Sequence, residues 1–103
     1  MTMHSDKNLH APGAKDDSEK DFAGLVMGDF ARALKEVVKV GTFGAKKYSK
    51  SGWLKVPNAA ERYADALARH ELDLMSGITH DPESKLLHRA HQAWNVLALL
   101  ELA

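Results

Sequence analysis

The chain has 103 residues, with 14 Lys and Arg against 14 Asp and Glu, six His and no Cys. That length suits one small domain with a single core and excludes two. Balanced charge argues against a nucleic-acid binder held by phosphate neutralisation, and the missing cysteine rules out a disulfide framework or a thiolate metal site, so any metal would be held by nitrogen and oxygen.

Its apolar runs are too short and too interrupted for a membrane span, and the amino terminus lacks a signal-peptide core. The expectation is a soluble, cytoplasmic protein with no membrane partner and no direct contact with nucleic acid.

The first 21 residues carry one leucine among Gly, Pro, Ser and mixed charge. Such a stretch buries too little apolar area to offset its ordering entropy, and it reads as a disordered arm ahead of one helical domain over residues 22–103. From about Phe22 to Thr42 the apolar residues Leu25, Val26, Phe30, Leu34, Val37, Val38 and Val40 give an imperfect helical pattern, weakened by Gly24 and Gly28. Gly41 and Gly44 then punctuate the chain, and the segment from Thr42 to Leu54 reads as a helix end followed by a lysine-rich loop. Between positions 35 and 55 there are six lysines and one acid, whereas positions 61–103 hold seven acids against four Lys and Arg. A basic stretch facing an acidic, histidine-bearing half suits a phosphate ligand with a divalent cation, and it equally suits a solvated lysine face.

Pro57 is well placed to start a second helix, in which Ala60, Tyr63, Ala64, Leu67 and Leu74 recur at helical spacing up to Gly77. A third helix is expected from about Pro82 to Leu102, because proline and an acid both favour a helix amino terminus. No stretch alternates like a strand and no repeat is visible. The fold class is therefore all-α with three main helices. The third helix is rich in Leu and Ala over a broad face, so the small core is expected to be completed by homo-oligomerisation.

Four of the six histidines lie between positions 70 and 91. On the third helix, His88, His91 and Asn95 share one arc roughly 60° wide at about 100° per residue, directed away from the apolar stripe of Leu86, Leu87, Ala90, Ala93, Trp94, Leu97 and Leu100. Two histidines one turn apart can reach one ion, as helical metal sites do, or can simply line an oligomer contact. His70 shares a face with Tyr63, Leu67 and Leu74 and also fits a buried, hydrogen-bonded role. Asp81, Glu83 and Ser84 fit helix capping or oxygen ligands for a cation. Lys46 and Lys47 can hold phosphates, and Tyr48 and Trp53 can stack on a base or plug a helix junction. No nucleophile elbow, P-loop or dinucleotide fingerprint is present, so any chemistry would be metal-assisted attack of water on a phosphoanhydride.

The segments EVVKVGTFGAKKYSKSGW, YADALARHELDLMSG and DPESKLLHRAHQAWNVLALLEL together resemble the phage and prophage family of dATP/dGTP diphosphohydrolase amino-terminal domains, over roughly Leu34 to Leu102. The family pattern is a GAKKY segment and a tryptophan, an Arg-His pair, D-x-E-S-G, and H-x-x-H-x-x-x-N. Here these are Gly44 to Tyr48, Trp53, Arg69-His70, Asp81 to Ser84, and His88, His91 and Asn95. Two positions depart from it: Lys85 stands where glycine usually follows D-x-E-S, and Ile78 where an acid often follows the loop glycine. The resemblance implies hydrolysis of purine deoxynucleoside triphosphates with a divalent cation (Mg²⁺, Mn²⁺ or Co²⁺) in the cytoplasm of a phage-infected or lysogenic bacterium. It implies His70, Asp81, His88 and His91 as metal ligands and Glu83, His88 and Asn95 as catalytic groups. It implies Lys46, Lys47, Tyr48, Trp53 and Arg69 as substrate contacts. A non-catalytic protein that sequesters a nucleotide, and a purely structural oligomeric module, are the alternatives.

Overall fold

In the computed structural model, residues 12–103 are described. The arm expected over residues 1–21 lies outside them as far as residue 11. The chain divides into two compact units, Met1–Ala31 and Arg32–Ala103. In the first, residues 12–22 run as turns and bends with Ser18 hydrogen-bonded to the Asp16 carboxylate. They lead into a short helix α1, Ala23–Asp29, whose end is closed by the Phe30 amide on the Val26 carbonyl.

The second unit holds helix α2 (Ala31–Lys47, its first residue at the unit boundary), a 3₁₀ turn at Gly52–Lys55, α3 (Ala59–Met75) and α4 (His88–Leu102). The all-α class is thus borne out, and the described residues contain no strand beyond an isolated bridge between His80 and Leu87. No helix among them is long and apolar enough to cross a membrane.

Three boundaries differ from the sequence reading. The first helical stretch is two helices broken at Phe30. Gly41 and Gly44 do not end α2, which continues to Lys47, so the GAKKY segment is helical and not a loop except for Tyr48, which follows in a turn. Gly41 has a packing use, since a Cβ there would lie 3.6 Å from the Trp94 ring nitrogen. Lys46 and Lys47 occupy the last turn, where the helix dipole favours cations.

The third helix begins at His88 and not at Pro82. The acid and serine that suggested a cap are used in a turn: the Ser84 amide donates to Asp81 Oδ2 at 2.7 Å, the Lys85 amide to the Asp81 carbonyl at 2.9 Å, and the Asp81 amide to the Leu86 carbonyl at 2.8 Å. The first amide of α4, at His88, donates to the Thr79 carbonyl at 2.9 Å.

Helix α3 keeps its expected limits because its carboxyl end carries a Schellman closure. The Ile78 amide reaches the Asp73 carbonyl at 2.9 Å and the Gly77 amide the Leu74 carbonyl at 3.0 Å, with Gly77 at φ +85°. This reversal sets α4 antiparallel to α3. Tyr63 meets Trp94 at 5.3 Å between ring centroids, Gln92 Nε2 donates to the Leu67 carbonyl at 3.3 Å, and Arg89 Nη1 donates to Glu71 at 3.2 Å. Trp53 from the 3₁₀ turn closes one end, edge-on to Tyr63 and Trp94, and its carbonyl accepts from the Tyr63 hydroxyl at 3.0 Å.

Helix α4 is rotated from the sequence expectation: of the expected apolar stripe Ala90 is buried and Leu86 and Trp94 half-buried. The polar residues His88, Gln92 and Asn95 are buried, and Ala93, Leu97 and Leu100, expected in the core, are exposed. The physical reason lies in the partners: α3 and the 79–87 loop offer His70, Glu71, Asp73 and backbone carbonyls to satisfy a polar face. Among the described residues the buried apolar core comprises only Val40, Ala90 and Ala98.

Candidate metal centre

Three elements of the second unit supply the polar pocket. Helix α3 places His70 and Asp73 one turn apart, the Schellman turn returns the chain through Asp81 and Ser84, and α4 brings His88 and His91 inward. The Nδ1 atoms of His70 and His88 lie 2.7 Å apart, and His88 is 1% exposed. One ligand atom from each of His70, Asp81 and His88 falls within 4.8 Å of the others.

His91 stands beside this set. Its ring stacks on His70 at 4.7 Å with 13° between planes, its Nε2 is 2.7 Å from the Ser84 hydroxyl, and Phe43 of α2 approaches its ring edge-on at 6.5 Å. The Ser84 hydroxyl also accepts the Leu86 amide at 3.2 Å, so one serine ties the loop to the histidine stack.

The electrostatics keep these groups in metal-binding form. Burial, reinforced by His91 and His88, lowers the His70 pKa below 6.5; burial also lowers that of His91, with Asp81 opposing and His88 assisting. Both rings are therefore neutral at neutral pH, with a lone pair available. For Asp81 burial acts upward, but the amide and hydroxyl of Ser84 together with His91 and His70 outweigh it, and the carboxyl titrates below its usual 3.8.

The donor set fits a divalent cation. Two imidazoles and a carboxylate are ligands that zinc and other first-row ions accept. Neighbouring ligand atoms at bond lengths of about 2.1 Å stand roughly 3 Å apart, which the 2.7 Å between the two Nδ1 atoms approaches. Two buried polar atoms, His88 Nε2 and Asn95 Oδ1, have no hydrogen-bond partner among the described residues. Asp73 Oδ2 lies 3.3 Å from His88 Nε2, close enough to orient the ring, although the geometry is not that of a hydrogen bond.

The remaining candidates fall at different depths. Lys47 pairs with Glu83 and lies 5.1 Å from the Tyr48 ring centre; that pairing raises its pKa. This contact joins the end of α2 to the Asp81 loop. Lys46, Tyr48, Glu83 and Arg69 are exposed. Trp53 is half-buried against Tyr63 and Trp94, which gives it a packing role whatever else it does. Asn95 is buried, one turn beyond His91 on the inward face of α4.

Sequence reasoning missed Asp73, Ser84 as a partner of His91, and Phe43. The three-residue spacing of Asp73 from His70 on a helix could have flagged the first; the other two depend on tertiary packing.

Lys85 has φ +65°, the left-handed region that a side chain disfavours and glycine adopts freely. The departure from the glycine of the D-x-E-S-G pattern therefore changes the residue while the turn keeps a glycine-like backbone.

Residues 10–103 match the family described as dATP/dGTP diphosphohydrolase, N-terminal. The chain belongs to this family. It is also 37% identical over 73 residues to a dATP/dGTP diphosphohydrolase of Salmonella phage PMBT28, an alignment covering 69% of this chain and 24% of that protein. The chain thus spans about a quarter of the length of that relative. No solved structure matches it.

Proposed function

We propose that this family member binds a purine deoxynucleoside triphosphate, dATP or dGTP, and hydrolyses one of its phosphoanhydride bonds with a divalent cation. The observation that carries the reading is the convergence of His70, Asp81 and His88 from α3, the loop and α4, in a chain whose family and phage relative bear the name of that activity. In this reading the three residues hold the cation, which would neutralise phosphate charge and lower the pKa of a bound water. The chain's own groups do the rest. Lys46 and Lys47 neutralise the triphosphate, and Lys47 is presented toward the Asp81 loop by Glu83. Glu83 accepts a proton from the attacking water, a role in which it must exchange its ion pair with Lys47 for the substrate.

His91, locked by Ser84 and stacked on His70, fixes the plane of the His70 ring. Asn95 supplies its unpaired carbonyl oxygen to water or ligand. Tyr48 contacts the base and Arg69 the phosphates, both from exposed positions; Trp53 shapes the pocket wall. The work would be done in the cytoplasm of a phage-infected or lysogenic host.

The test is incubation of the purified chain with each deoxynucleoside triphosphate and Mg²⁺, Mn²⁺ or Co²⁺, followed by separation of the products. Release of phosphate or pyrophosphate from dATP or dGTP, abolished in Asp81→Asn, is the expected result. Intact nucleotide recovered from a tight complex would reduce the reading to binding, and no binding by calorimetry would overturn it.

A further inference from the structure

The His88 ring meets two side chains of α3 that stand one turn apart. Its Nδ1 is 2.7 Å from His70 Nδ1, and its Nε2 is 3.3 Å from Asp73 Oδ2. The residue is 1% exposed, and Nε2 has no hydrogen-bond partner among the described residues. The Asp73 side chain is 46% exposed, while its backbone carbonyl is held in the closure of α3 by the amides of Ser76 at 3.1 Å and Ile78 at 2.9 Å. The carboxylate therefore hangs from a fixed backbone and keeps some freedom to turn.

These distances place the protons. Two imidazole lone pairs 2.7 Å apart repel and two N–H groups collide, so one proton lies between the two Nδ1 atoms unless a cation does. At the other end of the ring the carboxylate can only accept. A bare Nε2 there would set a buried lone pair against a negative charge, in a position closed to solvent. The approach is not that of a hydrogen bond, but at 3.3 Å the carboxylate charge by itself favours a proton on Nε2 over a lone pair. A ring with its one proton on Nε2 has a bare Nδ1, and the proton between the two rings then belongs to His70.

The geometry points to Asp73 as a positioning residue that fixes the His88 ring in its Nε2–H form and leaves the Nδ1 lone pair facing His70. Asp73 stands outside the converging set of His70, Asp81 and His88 and acts on the site through the His88 ring. In metal sites a ligating histidine almost always passes its second N–H to a carboxylate, carbonyl or water, which fixes its tautomer and orientation and raises its basicity. Here the carboxylate comes from the helix that also carries His70, so one element sets both imidazoles. The effect on cation binding rests on the reading of His70, Asp81 and His88 as ligands; the position of the proton rests on the two distances and the burial of His88.

Long-range ¹H–¹⁵N NMR of the labelled full chain, free of metal at pH 8, tells protonated from bare ring nitrogens. His88 should show a protonated Nε2 and a bare Nδ1, and His70 a protonated Nδ1. In Asp73→Ala the His88 signals should move toward a mixture of the two tautomers, and Mn²⁺, followed by electron paramagnetic resonance, should bind roughly tenfold more weakly or worse, the loss that removal of such a supporting carboxylate causes. Asp65→Ala, at an exposed acid of the same helix, should change neither. Asp73→Asn keeps the shape and removes the charge; it should move both readouts in the same direction, and it carries the test if Asp73→Ala loses helix content by circular dichroism. A bare His88 Nε2 or a bare His70 Nδ1 in the wild-type chain would overturn the inference. So would a His88 tautomer unmoved by either substitution, whatever becomes of Mn²⁺, because Asp73 would then be a ligand or a packing residue. A shifted tautomer with Mn²⁺ affinity at the wild-type level would overturn the positioning role. A wild-type chain that shows the expected tautomer and binds no Mn²⁺ would remove the cation reading alone and leave the proton assignment standing.

Discussion

Replacing Asn95 with leucine separates what the pocket needs for stability from what it needs for function. Asn95 is 6% exposed and its Oδ1 has no hydrogen-bond partner among the described residues. A buried carbonyl left unsatisfied costs about 1–3 kcal/mol, and leucine, branched at the same carbon, removes that cost. The added bulk gives back about 1 kcal/mol through overpacking. Asn95→Leu should therefore be more stable by roughly 1 kcal/mol, which for a domain of this size is a rise of about 4–8 °C in melting temperature. Nucleotide binding should fall at the same time, the trade expected where a polar group is kept for a ligand. Thermal unfolding followed by circular dichroism, with calorimetry of dATP binding on the same sample, reads both. A variant that melts well below wild type with its helix content intact would refute the reasoning, because it would mean that the Asn95 amide holds the fold together.

Lys85→Gly tests the turn that presents Asp81. A side chain at φ +65° costs about 1–2 kcal/mol, of which the greater freedom of unfolded glycine cancels about 0.5–1 kcal/mol. The net gain of about 0.5–1 kcal/mol should raise the melting temperature by about 2–8 °C, and an unchanged or lower melting temperature would count against the left-handed turn. Gly77→Ala works in the opposite sense: the added methyl meets nothing within 4 Å, but φ is +85°, so the cost is backbone strain of about 1–2 kcal/mol, readable by urea unfolding. Acid should destabilise the protein in two steps. His70 and His91 have folded pKa values below 6.5, so the unfolded chain binds more protons as pH falls; stability is complete above pH 6.5 and declines through the lower folded values. The depressed Asp81 adds a second loss below pH 3.8. Melting temperature against pH should show the first decline, flattened in His70→Phe, and a melting temperature constant from pH 7 to 5 would contradict it.

The sequence carried α3 well because its limits are written in local chemistry: Pro57 before it and Gly77 after it, the latter in the left-handed closure where glycine is favoured. It misled on α2, since Gly41 and Gly44 resemble breakers unless it is known that Trp94 packs over Gly41. Asp81 and Ser84 were legible as capping residues, but whether they cap a helix or a turn depends on the Asp81–Leu86 backbone pair, a contact that periodicity does not encode. The rotated packing of α4 was hidden for a similar reason. A helix with Leu and Ala around most of its circumference does not declare which side faces inward, and the polar partners on α3 decide it. The polar arc of His88, His91 and Asn95 was visible from spacing alone; the His70–His91 stack and the Asp73 contact were not.

The most direct test of the cation centre is electron paramagnetic resonance of Mn²⁺ titrated into the protein at neutral pH. Binding at His70, Asp81 and His88 removes the six-line signal of the free ion. The wild-type chain should deplete that signal, Asp81→Asn and His70→Ala should restore it, and Lys50→Ala should deplete it as the wild type does. A full free-ion signal in the presence of wild-type protein, or equal depletion by all four proteins, would contradict it.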